Sequence, residues 1–132
     1  ASRGLGDVYK RQAYSDAELA HLPLVTAHMD LLGTTIFSGA NPPALIDIVP
    51  SAAPRPAGWT AAIVMVDGLI AGAVDGDICT RFASVPGIQQ LLLRAVAYRR
   101  YVNILHPRSK ATVRSNIERV EEALVSAASD RL

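Results

Sequence analysis

The clearest hydrophobic periodicity lies near the end of the chain. Apolar residues recur there at three- and four-residue steps, at Val113, Ile117, Val120, Leu124 and Ala128. This spacing predicts a helix that begins near Ser109 and buries one face. The opposite face carries five charged side chains: Arg114, Glu118, Arg119, Glu121 and Glu122. We expect that face to be solvated.

Two further helices are predicted upstream. Ser84 and Pro86 favour the start of one of them, and His106-Pro107 ends it. Its broad apolar face consists of Ile88, Leu91, Leu92, Ala95, Tyr98, Val102 and Leu105. The other, over residues 59–74, is apolar on most sides, which is typical of a helix buried between neighbours. Its β-branched residues leave a buried strand as the alternative, and we favour the helix.

The first half of the chain is less regular. Ser15 and Glu18 have capping-box spacing. Apolar residues at helical spacing, followed by Gly33, then predict a short helix over residues 23–32. Five prolines and Gly39 interrupt residues 34–58, which we interpret as a loop or linker. One apolar island in it, residues 45–49, is compatible with a short strand or one helical turn.

These patterns together predict an all-α protein. We expect a small bundle of about four helices with an irregular proline-rich segment in its N-terminal half. Residues 13–132 are enough for one domain that buries a modest core without disulfides or metal.

The first residues of the chain do not resemble an evolved segment. Residues 2–12 read Ser-Arg-Gly-Leu-Gly-Asp-Val-Tyr-Lys-Arg-Gln. One reading frame of a transposase adapter used to prepare sequencing libraries encodes this run residue for residue. We therefore interpret residues 1–12 as translated adapter that is not part of the fold, with the natural sequence beginning near Ala13. The alternative is a flexible basic arm.

Excluding that run changes the charge of the protein. The full chain has 13 basic and 12 acidic residues, whereas residues 13–132 have 10 and 11. Residues 13–80 hold one basic residue, Arg55, against seven acidic ones, and residues 81–132 hold nine basic against four acidic. This polarity could steer head-to-tail association between copies of the chain, or the two halves could neutralise each other within one fold.

Recognisable catalytic chemistry is absent from the sequence. No nucleophile elbow, phosphate-binding glycine loop or zinc-helix motif occurs, so we predict no catalytic, cofactor-binding or metal-binding residues and no enzyme activity. His21 and His28 stand seven residues apart, but Pro23 lies between them. Asp75 and Asp77 flank Gly76 as in a calcium loop, yet a helix-to-helix turn explains them better. The longest apolar run, residues 61–66, is too short to span a membrane.

The most suggestive polar feature is a basic region in the second half of the chain. It comprises Arg94, Arg99, Arg100, Arg108, Lys110 and Arg114. Phosphate contact through charge alone is one interpretation. The other is that these side chains bind carboxylates of a neighbouring subunit or stay solvated, which we favour because residues 13–132 are not net basic.

The second half also contains a set of short motifs that belong together. They are Val66-Asp67-Gly68-Leu69-Ile70-Ala71-Gly72, Thr80-Arg81-Phe82, Val85-Pro86, Leu91 to Leu93, Ala97-Tyr98-Arg99 and Arg114 through Leu124. This order resembles small helical head–tail junction proteins of tailed phages, in particular a Mu-like prophage family of unknown function. The chain departs from that pattern at Phe82, where tyrosine is usual.

The resemblance implies a structural virion protein. Such a protein would form a ring of identical subunits at the portal, bind portal and tail proteins, and occur in virions and in the host cytoplasm during assembly. Arg94, Arg99, Arg100 and Arg114 would face Asp67, Asp75 and Asp77 across the subunit interface, with non-specific DNA contact as a further possibility. Two alternatives remain open: a small helical nucleic-acid-binding protein that uses Arg94 to Arg114, and a ligand-binding or enzymatic domain with a pocket near residues 38–43.

Overall fold

The computed structural model of the protein describes residue 8 and residues 10–130. Most of the run that we interpret as adapter, residues 1–7 and 9, lies outside the described residues. Within the described part, residues 10–13 are helical, and Ala13 is the first residue buried in the core.

Four helices follow one another in the second half of the chain. They are α1 (Trp59–Ala71), α2 (Asp77–Arg81), α3 (Ile88–Leu105) and α4 (Ala111–Ser129). The predicted helices in residues 59–74, 84–105 and from 109 onward are therefore confirmed, and the strand alternative for residues 59–74 is wrong. The short helix α2 was not predicted.

Glycines in the left-handed conformation set the ends of two of these helices. Gly58 (φ 97°) precedes α1, Gly72 (φ 72°) ends it, and Gly87 (φ 69°) precedes α3. The N–H groups of Gly72 and Ala73 donate to the last carbonyls of α1, which satisfies groups that have no partner inside the helix. Because Gly87 stands at this cap, α3 starts at Ile88 and not at Pro86.

The N-terminal half forms two small antiparallel sheets. Strand β1 (Leu24–Val25) pairs with β4 (Arg55–Pro56), and β2 (Thr35–Ile36) pairs with β3 (Ala44–Leu45). An isolated bridge joins His28 to Pro50. The proline-rich segment thus contains no long element, as predicted, and Leu45 opens the apolar island as part of a strand.

The predicted helix over residues 23–32 is wrong. Leu24 and Val25 are exposed strand residues, whereas Ala27 and Met29 are buried on either side of the partly exposed His28. Burial therefore follows the two-residue period of extended chain and not the helical period. The protein is mainly helical, but the two sheets mean that the predicted all-α class describes only its second half.

The core lies where α1, α3 and α4 pack against one another. Its most buried side chains include Ile63 and Val66 on α1, and Leu91, Leu93 and Val96 on α3. Hydrogen bonds attach the N-terminal half of the chain to these three helices. The side chain of Gln90 on α3 donates to the Ala13 carbonyl (2.8 Å) and accepts from the Ser15 N–H (2.7 Å).

Candidate functional site

Arg99 and Asp67 form an ion pair between α3 and α1. The guanidinium donates two hydrogen bonds to the carboxylate, at 2.7 and 2.8 Å, and a third to the Met29 carbonyl at 2.8 Å. Burial raises the pKa of Asp67, and the hydrogen bonds from Arg99 oppose that rise. This pair joins an acidic residue of the first half of the sequence to a basic residue of the second half within one chain. It agrees with the alternative in which the two halves neutralise each other within one fold.

Arg94 is also engaged inside the chain. Its guanidinium donates to the Asp16 carboxylate, to the Ser15 carbonyl (3.3 Å) and to Gln90 Oε1 (2.9 Å). It also lies over the ring of Tyr14, 5.7 Å from the centroid. Arg94 therefore holds the N-terminal segment against α3.

Arg100 pairs with a carboxylate that was predicted to be solvated. Glu121 on α4 is only 2% exposed, so its assignment to the solvated face is wrong. It contacts Arg100 Nε at 2.9 Å and Lys10 Nζ at 2.8 Å. The two cations explain why this carboxylate can lie in the core. Burial, followed by the Glu121 charge, raises the pKa of the nearby Tyr14.

The remaining basic residues lie around the turn between α3 and α4. Arg108, Lys110 and Arg114 are exposed, and none has a carboxylate within salt-bridge distance among the residues described. The Arg114 side chain donates to Ser109 Oγ, at 3.4 Å. The six basic residues therefore divide into three that pair with carboxylates of the same chain and three that do not, although Arg100 and Arg114 line one cleft of about 600 Å³.

The predicted acidic counter-surface is divided in the same way. Asp67 is bound by Arg99, whereas Asp75 lies in the turn that leads from α1 into α2 and Asp77 is the first residue of α2. The Asp75 carboxylate accepts from the Asp77 N–H at 3.0 Å, which is the helix-to-helix turn that the sequence favoured over a calcium loop.

The histidine pair does not resemble a metal site. His28 Nδ1 accepts from the Asp30 N–H (3.1 Å), and Nε2 lies 3.1 Å from the Asp47 carbonyl, so both ring nitrogens face the backbone. Across residues 10–130, no group of three or more potential ligands is placed to hold a metal ion. In the same part of the chain, no helix has the length and apolarity needed to cross a membrane.

Sequence reasoning missed a cleft built around Arg55. It has a volume of about 560 Å³ and lies between β4, α1 and α3. Its lining includes Pro54, Pro56, Trp59, Tyr98 and Tyr101. The Arg55 guanidinium stacks over the Trp59 ring at 4.9 Å, and its buried Nε has no hydrogen-bond partner in the described structure. The sequence does contain a signal for this cleft. Arg55 is the lone basic residue of residues 13–80, and it stands between two prolines shortly before Trp59.

The β2–β3 hairpin and the segment after it expose large apolar side chains. Phe37 is 66% exposed, Ile46 64% and Ile48 70%. Ile36 and Leu45 are exposed as well. We call these five residues the apolar hairpin surface. Residues 38–43, where a ligand pocket was expected, are exposed and line neither the Arg55 cleft nor a second cavity of about 440 Å³ between α2 and α4.

Comparisons with known proteins identify no relative. No family model, no curated protein and no solved structure matches the chain. The candidate function therefore depends on the surfaces described above.

Proposed function

We propose that the protein is a non-enzymatic structural protein that assembles with copies of itself, as a head–tail connector of a tailed phage or prophage. The observation that carries the proposal is the apolar hairpin surface. Its side chains lie in one small hairpin and in the segment directly after it, and all five are exposed. Concentrations of exposed apolar side chains mark protein–protein interaction sites. A surface of this kind is typical of a site that a partner protein covers.

Charge supports association between identical subunits. Three arginines of the basic region pair with carboxylates of the same chain, but Asp47, Asp75 and Asp77 have no cation within salt-bridge distance among the described residues. Arg55 and the three basic residues at the α3–α4 turn likewise lack carboxylate partners there. Opposite charges left at different places favour a heterologous contact, which closes into a ring when the rotation between subunits permits.

The fold supplies a rigid base for such contacts. We propose that α1, α3 and α4 form the helical bundle of each subunit and that the hairpin segment reaches the neighbour. Portal and tail proteins would bind the two faces of the ring, in the virion and in the host cytoplasm during assembly.

Sedimentation velocity of the full chain tests this function. We expect a defined oligomer whose mass stays constant as concentration is lowered towards its dissociation range, because a closed ring satisfies every interface. The genes on either side of the gene for this protein provide a second test. We expect portal and capsid genes there. A monomer at every concentration, or a position within a metabolic operon, would contradict the assignment.

DNA contact is the second candidate, since Arg108, Lys110 and Arg114 are exposed around one turn and form no ion pair with any described residue. Electrophoretic mobility at low salt would test it. Changing all three to alanine should weaken the binding of the full chain and reduce the salt dependence of that binding, by roughly 0.9 per lost phosphate contact on a log–log plot. Absence of a shift at low salt would eliminate this candidate.

A further inference from the structure

We propose that the Arg55 cleft is the receptor for residues 46–48 of a second copy of this chain. The Asp47 carboxylate would bind the Arg55 guanidinium, and the flanking isoleucines would pack on the aromatic and proline side chains of the cleft. This inference rests on the proposed self-assembly and specifies the contact that produces it.

The cleft has the composition of a site for an apolar segment with one negative charge. Most of its lining is apolar and includes prolines and the rings of Trp59, Tyr98 and Tyr101. Three charged residues also line it, and two of them, Arg94 and Asp16, pair with each other, which leaves the positive charge of Arg55. A volume of about 560 Å³ lies within the ordinary range of binding sites, about 300–1,000 Å³. Aromatic residues and arginine are also the types enriched at the centres of protein interfaces.

Arg55 is the polar group that such a segment would satisfy. It lines the cleft, is partly exposed and has no carboxylate within salt-bridge distance among the described residues. Its Nε is buried and has no hydrogen-bond partner there, so an incoming carboxylate would bind the terminal nitrogens of the guanidinium. Arg94, the other arginine of the cleft, is already bound to Asp16. An incoming carboxylate would therefore bind Arg55.

The proposed ligand segment presents the complementary chemistry. Ile46 and Ile48 are among the most exposed large apolar residues of the described chain. Asp47 lies between them and is not in an ion pair with any described residue. Its Oδ1 accepts only from the Ile48 N–H, at 2.8 Å, which leaves the second carboxylate oxygen available.

The backbone holds this segment in place before any partner arrives. The Ile46 N–H donates to the Thr34 carbonyl at 2.9 Å. His28 Nε2 bonds the Asp47 carbonyl at 3.1 Å, and the Val49 carbonyl accepts from the Met29 N–H at 2.7 Å. A segment fixed in this way loses little conformational entropy on binding, which favours association.

Residues 46–48 do not line the cleft of their own subunit. Each copy can therefore offer its segment to one neighbour and its cleft to another. This is a heterologous contact, and it generates a ring or a filament according to the rotation between subunits.

Charge reversal in the full chain tests the contact. Asp47→Lys and Arg55→Glu should each weaken self-association by about tenfold or more, since each places like charges in contact. An equimolar mixture of the two variants should recover association, because each variant then meets the opposite charge on the other. The double variant D47K/R55E should recover it as well.

Native mass spectrometry measures each sample, because the variants differ in mass and mixed oligomers are resolved. Glu122→Lys and Arg81→Glu are matched controls: they make the same charge changes at exposed positions that do not line the cleft, and they should assemble like the unmodified chain. Circular dichroism verifies folding. Should Arg55→Glu fail to fold, Arg55→Gln replaces it, and Asp47→Lys at an exposed side chain carries the test.

The outcomes separate this inference from the proposed function. If the unmodified chain and both charge-reversal variants assemble alike, the Asp47–Arg55 contact is overturned and self-assembly still stands. Loss with Arg55→Glu but not with Asp47→Lys assigns the cleft to a different occupant and also overturns it. A monomeric unmodified chain overturns both. Loss in each single variant with recovery in the mixture supports the contact.

Discussion

Replacing Arg99 with alanine should destabilise the protein strongly. Arg99 donates two hydrogen bonds to Asp67 and one to Met29, and so connects α3 to α1 and to the N-terminal half. Loss of one member of a fully buried pair costs about 3–5 kcal/mol because the other charge remains buried. The two side chains here are 20% and 17% exposed, so solvent screens part of that penalty. We expect a loss of about 2–3 kcal/mol in the free energy of unfolding.

The pH dependence of that loss is a second consequence. Burial raises the pKa of Asp67, so the folded state binds the proton more tightly than the unfolded state. The contribution of this group to stability therefore falls as pH rises through the window between the two pKa values. Arg99 opposes this rise in the pKa of folded Asp67. Removing Arg99 should therefore raise that pKa further and extend the window to higher pH. Acidification into it should recover part of the stability that the variant loses at neutral pH.

Urea unfolding followed by circular dichroism at several pH values measures both effects. Arg108→Ala is the matched control, because Arg108 is exposed without a carboxylate partner in the described structure; its change should stay within about 0.5 kcal/mol. In D67N/R99A the extra pH dependence should disappear, and the two changes should be less than additive. A loss below about 0.5 kcal/mol for Arg99→Ala, or a loss that grows on acidification, would refute this reasoning.

Three further predictions concern stability and use the same unfolding assay. Gly58→Ala should cost more than about 1 kcal/mol, because Gly58 has φ 97° and a Cβ there would lie 3.0 Å from Leu91 Cδ1. Gly76→Ala is the control and should be nearly neutral, since a Cβ at Gly76 meets open space. Equal effects of the two substitutions would contradict this prediction. Arg100→Ala should cost about 1–3 kcal/mol, since it leaves the buried Glu121 with Lys10 alone; an unchanged midpoint would contradict it. Deleting residues 1–12 should preserve cooperative unfolding and cost about 1–3 kcal/mol, since it leaves the buried Glu121 with Arg100 alone; loss of cooperativity would show that this run belongs to the fold.

The helices of the second half could be predicted because hydrophobic burial decides them locally. Ile117, Val120, Leu124 and Ala128 are buried as their spacing indicates. Val113, Val102 and Leu105 lie on the predicted apolar faces but are exposed, so the prediction is wrong at these three positions. Glu121 is the opposite exception, and its burial depends on Arg100 of another helix and on Lys10. Periodicity carries no information on such a distant charge partner.

The N-terminal half could not be predicted in the same way. Leu24 fits a helical pattern, yet it and Val25 pair with Pro56 and Arg55 some thirty residues away. Strand pairs of two residues depend on these distant partners, which local propensity does not register. Charge counts also carry no information on distant partners. They indicated the polarity of the two halves, but they could not predict that Arg94, Arg99 and Arg100 pair with carboxylates of the same chain.

Electron microscopy of the purified full chain tests the central claim, self-assembly into a ring, most directly. Negatively stained particles should be uniform rings with rotational symmetry and a central opening, and the Asp47→Lys variant should not form them. Particles of single-subunit size, or open filaments without rings, would contradict the account.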